Sequence, residues 1–206
     1  LIIIRKYGLS PLFPDDVRAA ARSLSSAVTD ADREGRVDLR GETTVTIDGE
    51  SARDFDDAVS VRREGNRIRL LVSIADVSHY VPEGSPLDRE AFSRGTSVYF
   101  PDRCIPMLPE ELSTGICSLN PRVDRLALTA EMLFDEEGEA GETRFYPSVI
   151  RSDERLTYTE VKEILEDGNP GTTARHRGLL DGLRTMEELA VRLSEKRRRR
   201  GSIDFD

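Results

Sequence analysis

The stretch Thr46-Ile47-Asp48-Gly49-Glu50-Ser51-Ala52-Arg53-Asp54-Phe55-Asp56-Asp57-Ala58-Val59-Ser60-Val61 reads as an apolar strand, a polar loop and a second apolar strand. The first strand delivers Asp48 at its end, and the loop rejoins the sheet through Asp54, Asp56 and Asp57. In an extended segment Asp54 and Asp56 project to one side and Asp57 to the other. A bend there would gather all four carboxylates, Asp48 included, around one small volume. Such grouping is costly, because each carboxylate raises its neighbours' pKa and desolvation adds to the effect. A divalent cation removes the penalty. Hard oxygen donors with no His or Cys nearby favour Mg²⁺ or Mn²⁺ over Zn²⁺. Two such ions can activate a water, hold a scissile phosphate and stabilise the leaving oxygen, so the chemistry points to phosphodiester hydrolysis.

Other readings of an Asp-rich loop have to be set beside this one. A solvated acidic loop is the plain alternative, but strands on both sides anchor these acids to a rigid sheet. The Asp, Gly and Glu spacing of an EF-hand calcium loop is missing. A phosphatase or glycosyltransferase Asp-x-Asp pair stays open as an alternative. Those pairs normally follow directly on a buried apolar strand, whereas Asp54 follows Ser51-Ala52-Arg53.

Working outward, alternation and β-branched content predict strands over 43–47, 58–62, 68–75, 126–134 and 143–150. Gly65-Asn66 marks a hairpin turn between the second and third, and residues 135–138 a turn between the fourth and fifth. Helices are expected over 14–25, 86–94, 158–166 and 174–199. The last carries Leu179, Leu180, Leu183, Met186, Leu189, Ala190 and Leu193 at three- and four-residue steps, which makes one buried stripe. Hairpins mixed with separated helices predict an α+β fold, a mixed and largely antiparallel sheet with helices packed on it.

Length and composition set outer limits. A chain of 206 residues is enough for one medium domain. With 37% hydrophobic and 33% charged residues it is polar but not of disordered composition. The apolar runs Leu1-Ile2-Ile3-Ile4 and Leu70-Leu71-Val72-Ser73-Ile74-Ala75 fall far short of the roughly 20 residues of a membrane span, and no basic segment precedes the first. A soluble, cytoplasmic protein with no membrane partner and no obligate protein partner is therefore expected. Cys104 and Cys117 lack metal-ligand spacing and are read as free, buried thiols. A net charge of −9 weighs mildly against nucleic acid on average, although binding depends on local charge. The chain lacks an initiator Met, opens in an apolar run and closes on Gly201-Ser202-Ile203-Asp204-Phe205-Asp206, so it is read as a piece of something longer.

Several motifs then resemble one family in order. Asp38-Leu39-Arg40, Thr46-Ile47-Asp48 and Asp54-Phe55-Asp56-Asp57-Ala58 resemble the opening signature of the RNB catalytic domain of the ribonuclease II and ribonuclease R family. The similarity continues through Ile74-Ala75-Asp76-Val77-Ser78-His79-Tyr80-Val81, Arg94-Gly95-Thr96-Ser97-Val98-Tyr99-Phe100-Pro101, Ile105-Pro106-Met107-Leu108-Pro109-Glu110-Glu111-Leu112 and Cys117-Ser118-Leu119-Asn120-Pro121. The wording is closer to ribonuclease R. The resemblance implies a Mg²⁺-dependent, processive 3′-to-5′ exoribonuclease that takes the 3′ end of single-stranded RNA and releases nucleoside 5′-monophosphates. It implies two ions in the RNA-bound state, with Mn²⁺ as a substitute. Asp48, Asp54, Asp56 and Asp57 match the family's metal ligands. Asp48 and Asp57 would hold one ion and the phosphate, and Asp56 would be the acid most critical to catalysis. Tyr99 matches a tyrosine that stacks on the 3′ base, and Tyr158 one near the terminal nucleotides. Residues 1–206 would then be the N-terminal, metal-site portion of a single RNB domain, without the flanking OB-fold modules, and weakly active or inactive by itself. A noncatalytic RNA-binding module is a further alternative.

The remaining polar features are given bland readings. His79 is expected to be structural and His176 to face solvent. Asp76 is assigned either a supporting role beside the acids or a hydrogen-bonding role at a strand end. The basic run Lys196-Arg197-Arg198-Arg199-Arg200 suits the C-terminal dipole of its helix, with RNA contact as the alternative.

Overall fold

The computed structural model describes Ile4 and residues 6–202. The run Leu1–Ile3 and the closing Ile203–Asp206, read above as apolar ends, lie outside the described residues. The elements in chain order are α1 Asp15–Ser23, α2 Asp30–Arg33, β1 Val37–Asp38, β2 Val45–Asp48, β3 Asp57–Glu64, β4 Arg67–Ala75, α3 Val77–Tyr80 and α4 Pro86–Arg94. They continue with β5 Val98–Phe100, β6 Arg103–Ile105, β7 Asp124–Phe134, β8 Ala140–Arg151, β9 Glu154–Thr157, α5 Tyr158–Leu165, α6 Pro170–Arg175 and α7 Leu180–Arg199. A kinked helical turn, Glu111–Ile116, precedes β7.

A 7-stranded sheet runs in the order β1-β8-β7-β4-β3-β2-β9, and β5-β6 form a separate hairpin. The pairs β2–β3, β3–β4, β4–β7 and β7–β8 are antiparallel, while the edge pairs β1–β8 and β2–β9 are parallel. With helices packed on this sheet, the fold is the α+β arrangement expected. The β3–β4 hairpin turns where Gly65-Asn66 predicted, with Gly65 at φ 62°, a left-handed value that glycine reaches without steric cost. The turn after β7 also falls as expected, and Asp135 closes it by accepting from the N–H groups of Glu137 and Glu139.

The core lies in four clusters. Val17, Ala21 and Leu87, from α1 and α4, pack with Leu112, Ile116, Leu126 and Val149. Phe55, Ala58, Leu71, Ala75, Leu119, Ala127 and Ile150 make a second cluster directly behind the acidic loop. Helices α5 and α7 bury Ile164, Leu183 and Leu189 against Val45, Leu156, Ile68 and Phe134. That last contact is the work of the apolar stripe read from the sequence.

Three expectations need correction. The helix expected over 174–199 is broken. Asn169 caps α6 by accepting from Gly171 and Thr172, α6 ends at Arg175, and a 3-10 turn over Arg177–Leu179 leads into α7. His176 at the break is not solvent-facing. Its ring is almost buried, with Nδ1 2.6 Å from Glu154 and Nε2 3.6 Å from Glu160. Of the two free thiols, Cys117 is buried but Cys104 is exposed, because it lies on the small β5–β6 hairpin rather than in the main sheet. Its partner across that hairpin is Tyr99.

The edge strand β9 was not expected at all, yet it seats the fully buried Leu156 in the α5–α7 cluster. Replacing Leu156 by Ala should destabilise the protein by about 2–5 kcal/mol in chemical denaturation. A loss below about 1 kcal/mol would show that β9 is not integral to the core.

Candidate metal centre

The chain leaves the sheet at Asp48, the last residue of β2, and re-enters at Asp57, the first residue of β3. Because the two strands are antiparallel neighbours, both carboxylates lie at one end of the sheet. The loop between them is shaped by Phe55, which is buried with Ala58, Leu71, Leu119 and Ala127. Side chains alternate along an extended segment, so an inward Phe55 turns Asp54 and Asp56 outward together.

Backbone bonds fix that arrangement. Ser118 Oγ accepts the Phe55 N–H at 3.0 Å and donates to the Arg53 carbonyl at 3.3 Å. The Leu119 N–H donates to the Phe55 carbonyl at 2.8 Å and the Ala75 N–H to the Asp56 carbonyl at 2.9 Å. Ser118 is itself held by the buried Arg125, whose Nε donates to its carbonyl at 2.8 Å and whose Nη2 donates to Gly115 at 3.2 Å.

The four carboxylates feel one another. Burial first, then the charges of Asp54, Asp57 and Asp48, raise the pKa of Asp56. Burial and then Asp57 raise that of Asp48, with Asp54 adding to the rise and the Arg155 guanidinium opposing it. Among the described residues no three His, Cys, Asp or Glu are already closed around a metal position. The cluster is thus gathered but open. It still fits Mg²⁺ or Mn²⁺ by its donor chemistry, since all four groups offer hard anionic oxygens. Mg²⁺ in particular takes one or two carboxylates and completes its shell with water and phosphate oxygens.

The two tyrosines are placed at this end of the sheet. Tyr99, on β5, is 69% exposed and its hydroxyl donates to Asp54 Oδ2 at 3.2 Å. Burial, then the Asp54 charge, raise its pKa. Tyr158 opens α5 and is 64% exposed. Parallel pairing of β2 with β9 sets Asp48 beside Thr157, so Tyr158 follows one residue beyond. A groove of about 730 Å³ runs past Asp54 and Tyr99, with Arg53, Arg103, Ser113 and Thr114 among its walls.

Residues 36–206 match the RNB domain. The chain belongs to the RNB family. Ribonuclease R of Vibrio cholerae is 45% identical over 206 residues, which is 100% of this chain and 25% of that protein. The RNB chain therefore spans about a quarter of the length of such a relative. Among solved structures, Mycoplasma genitalium RNase R in complex with ribose methylated single-stranded RNA superposes with TM-score 0.89 at 31% identity, covering 98% of this chain and 31% of that one. Yeast Ssd1, a pseudonuclease, shares the fold with TM-score 0.69 at 23% identity over 82% of this chain and 20% of that one. A fold that nucleases and a pseudonuclease both carry does not by itself decide catalysis, which depends on the residues of the site.

Other residues of this RNB chain fall away from the centre. Asp76 pairs with Arg36 at 2.7 Å and accepts from Ser78, the hydrogen-bonding role of the two considered. His79 is structural as expected, 3.0 Å from Asp32. Lys196 pairs with Glu139 at 2.5 Å. The sequence did not announce Ser118, Arg125 and Arg155 as supports, although Ser118 lies inside a matched motif. Their roles are hydrogen bonds to backbone carbonyls and N–H groups, which no side-chain pattern announces.

The raised pKa values of Asp48 and Asp56 have a consequence for stability. Their contribution to the fold is present below the ordinary carboxylate range and is lost as pH rises through the raised folded values. At neutral pH, without a cation, the centre therefore opposes folding. Asp56→Asn should raise the melting temperature measured in EDTA. A lower melting temperature in EDTA would contradict the repulsion.

Proposed function

We propose that the protein carrying this RNB chain is a Mg²⁺-dependent 3′-to-5′ exoribonuclease that degrades single-stranded RNA processively to nucleoside 5′-monophosphates in the cytoplasm. Residues 1–206 are taken as the metal-site portion of a single catalytic domain. The observation that carries this reading is the gathering of Asp48, Asp54, Asp56 and Asp57 at one sheet end in mutual repulsion, with an exposed tyrosine bonded to one of them. Four such acids are a cost to a noncatalytic module and an asset to one that must hold cations.

Asp48, Asp54, Asp56 and Asp57 would hold Mg²⁺, or Mn²⁺ in its place. Two such ions, when bound, would supply a more acidic attacking water and neutralise charge on the phosphate and the leaving oxygen. The chain's own residues do the placing. Phe55 and Ser118 keep Asp54 and Asp56 turned outward, and Asp48 and Asp57 approach from the ends of their strands. Asp56, whose pKa is raised by burial and then by all three other acids, has the most to gain from a cation and is assigned the central catalytic role.

Tyr99 offers its ring to the terminal base while its hydroxyl stays on Asp54, which ties base position to the metal side chains. Stacking of this kind is worth about 1–3 kcal/mol per base and ignores base identity. That suits an enzyme that must accept every 3′ end. Tyr158 lies beyond Thr157, beside Asp48, and is assigned to the neighbouring nucleotide. RNA as substrate is supported by the relative whose structure holds ribose methylated single-stranded RNA.

Single-stranded RNA labelled at its 5′ or 3′ end, incubated with the intact protein and Mg²⁺, tests this directly. The 3′ label should be released at once as mononucleotide, and the 5′ label should persist to a short limit product. Internal fragments, or no decay at all, would contradict the proposal. Asp56→Asn should abolish hydrolysis while leaving RNA binding within about threefold, a change of less than 1 kcal/mol. Tyr99→Ala should lengthen the limit product, and an unchanged ladder would reduce Tyr99 to packing.

A further inference from the structure

Arg155 touches both limbs of the loop that carries the acids, although it lies on a different strand more than a hundred residues away. Parallel pairing sets it beside Thr46, two residues before Asp48. From there the side chain reaches past Asp48, and its Nη2 donates to the Gly49 carbonyl at 2.5 Å and the Glu50 carbonyl at 3.1 Å. The same guanidinium lies 5.7 Å from the centroid of the Phe55 ring, next to Asp54 and Asp56. A planar cation can donate from its edge while its face meets a ring, which a lysine ammonium cannot do. A second tie runs in parallel, since the Thr159 hydroxyl on α5 donates to the Glu50 carboxylate.

We propose that Arg155 is a positioning residue for the metal centre, fixing the distance between Asp48 and the Asp54–Asp57 run before a cation arrives. Repulsion among the four acids pushes the two limbs of the loop apart. Arg155 opposes that movement mechanically, through the Gly49 and Glu50 carbonyls at one limb and Phe55 at the other. It also brings a positive charge to the site without becoming a ligand. Groups that orient metal ligands in this way typically cost about 10–100-fold in metal affinity when removed.

The inference rests on the metal reading of the four aspartates, and the test separates the two. Mn²⁺ binding is titrated by its paramagnetic resonance signal in the intact protein, with a hydrolysis-resistant single-stranded oligoribonucleotide present. The comparison is between the unaltered protein, Arg155→Lys and Arg155→Met. Arg155→Met should weaken Mn²⁺ binding by about tenfold or more, Arg155→Lys by less, and RNA affinity at saturating Mn²⁺ should stay within about twofold in both. If the unaltered protein binds no Mn²⁺ at the cluster, the metal reading falls and the positioning role with it. If that protein binds and Arg155→Met equals it, only the positioning role is overturned. A loss of RNA affinity with Mn²⁺ affinity intact would make Arg155 a substrate contact and also overturn it. Should Arg155→Met fail to fold, Arg155→Lys decides alone: Mn²⁺ affinity equal to the unaltered protein's would sink the proposal.

Discussion

Like charges held close together are the constraint on which this structure turns. Asp48 and Asp57 are brought to one sheet end by the antiparallel pairing of β2 with β3, and Asp54 and Asp56 are swung to meet them by a phenylalanine that faces inward. Burial and the charges of Asp54, Asp57 and Asp48 raise the cost of ionising Asp56. Among the described residues no salt bridge closes on these carboxylates, and only the Arg155 guanidinium opposes the rise at Asp48. Instead the protein secures the backbone around them, through Ser118 and Arg125 on one side and Arg155 on the other. The scaffold absorbs the strain, and the charge stays available to a ligand that arrives from solution.

The same economy explains the overall acidity. A net charge of −9 is a poor average for a protein that would hold RNA, yet affinity for phosphate is a local matter. Two divalent cations would cancel the charge of the four acids, and Arg53 and Arg103 stand in the adjoining groove. The base contacts proposed for Tyr99 and Tyr158 use exposed aromatic faces, which need no charge. Length is relevant here as well. The chain spans about a quarter of relatives such as the Vibrio cholerae ribonuclease R, so its net charge is that of a part and not of such a whole protein.

How much of this was legible in the sequence depended on how local the cause was. Alternating β-branched residues placed β3, β4 and β7 to within two residues, and Gly65-Asn66 located their hairpin. The four acids were legible because their grouping is local and chemically expensive. Strand β9 was not, since Glu154-Arg155-Leu156-Thr157 is short and its partner β2 lies far away in sequence. Missing β9 meant missing that Arg155 reaches the loop and that Tyr158 follows beside Asp48. The long helix was over-extended because its apolar stripe outweighed the Asn169-Pro170 cap and the break at His176, and the ring buried between Glu154 and Glu160 was lost with it. Ser118 and Arg125 act through the backbone of a distant loop, a relation that exists only once the chain has folded.

The central claim is that the four aspartates are a metal site and not an acidic surface. Anomalous diffraction at the manganese edge, from crystals of the intact protein with Mn²⁺ and a hydrolysis-resistant RNA 3′ end, addresses it most directly. One or two peaks should appear among Asp48, Asp54, Asp56 and Asp57, with carboxylate oxygens at roughly 2.0–2.3 Å, the distance range of small hard divalent cations. An ordered RNA end beside Tyr99 with no peak at the four acids, or a peak only elsewhere, would contradict the account.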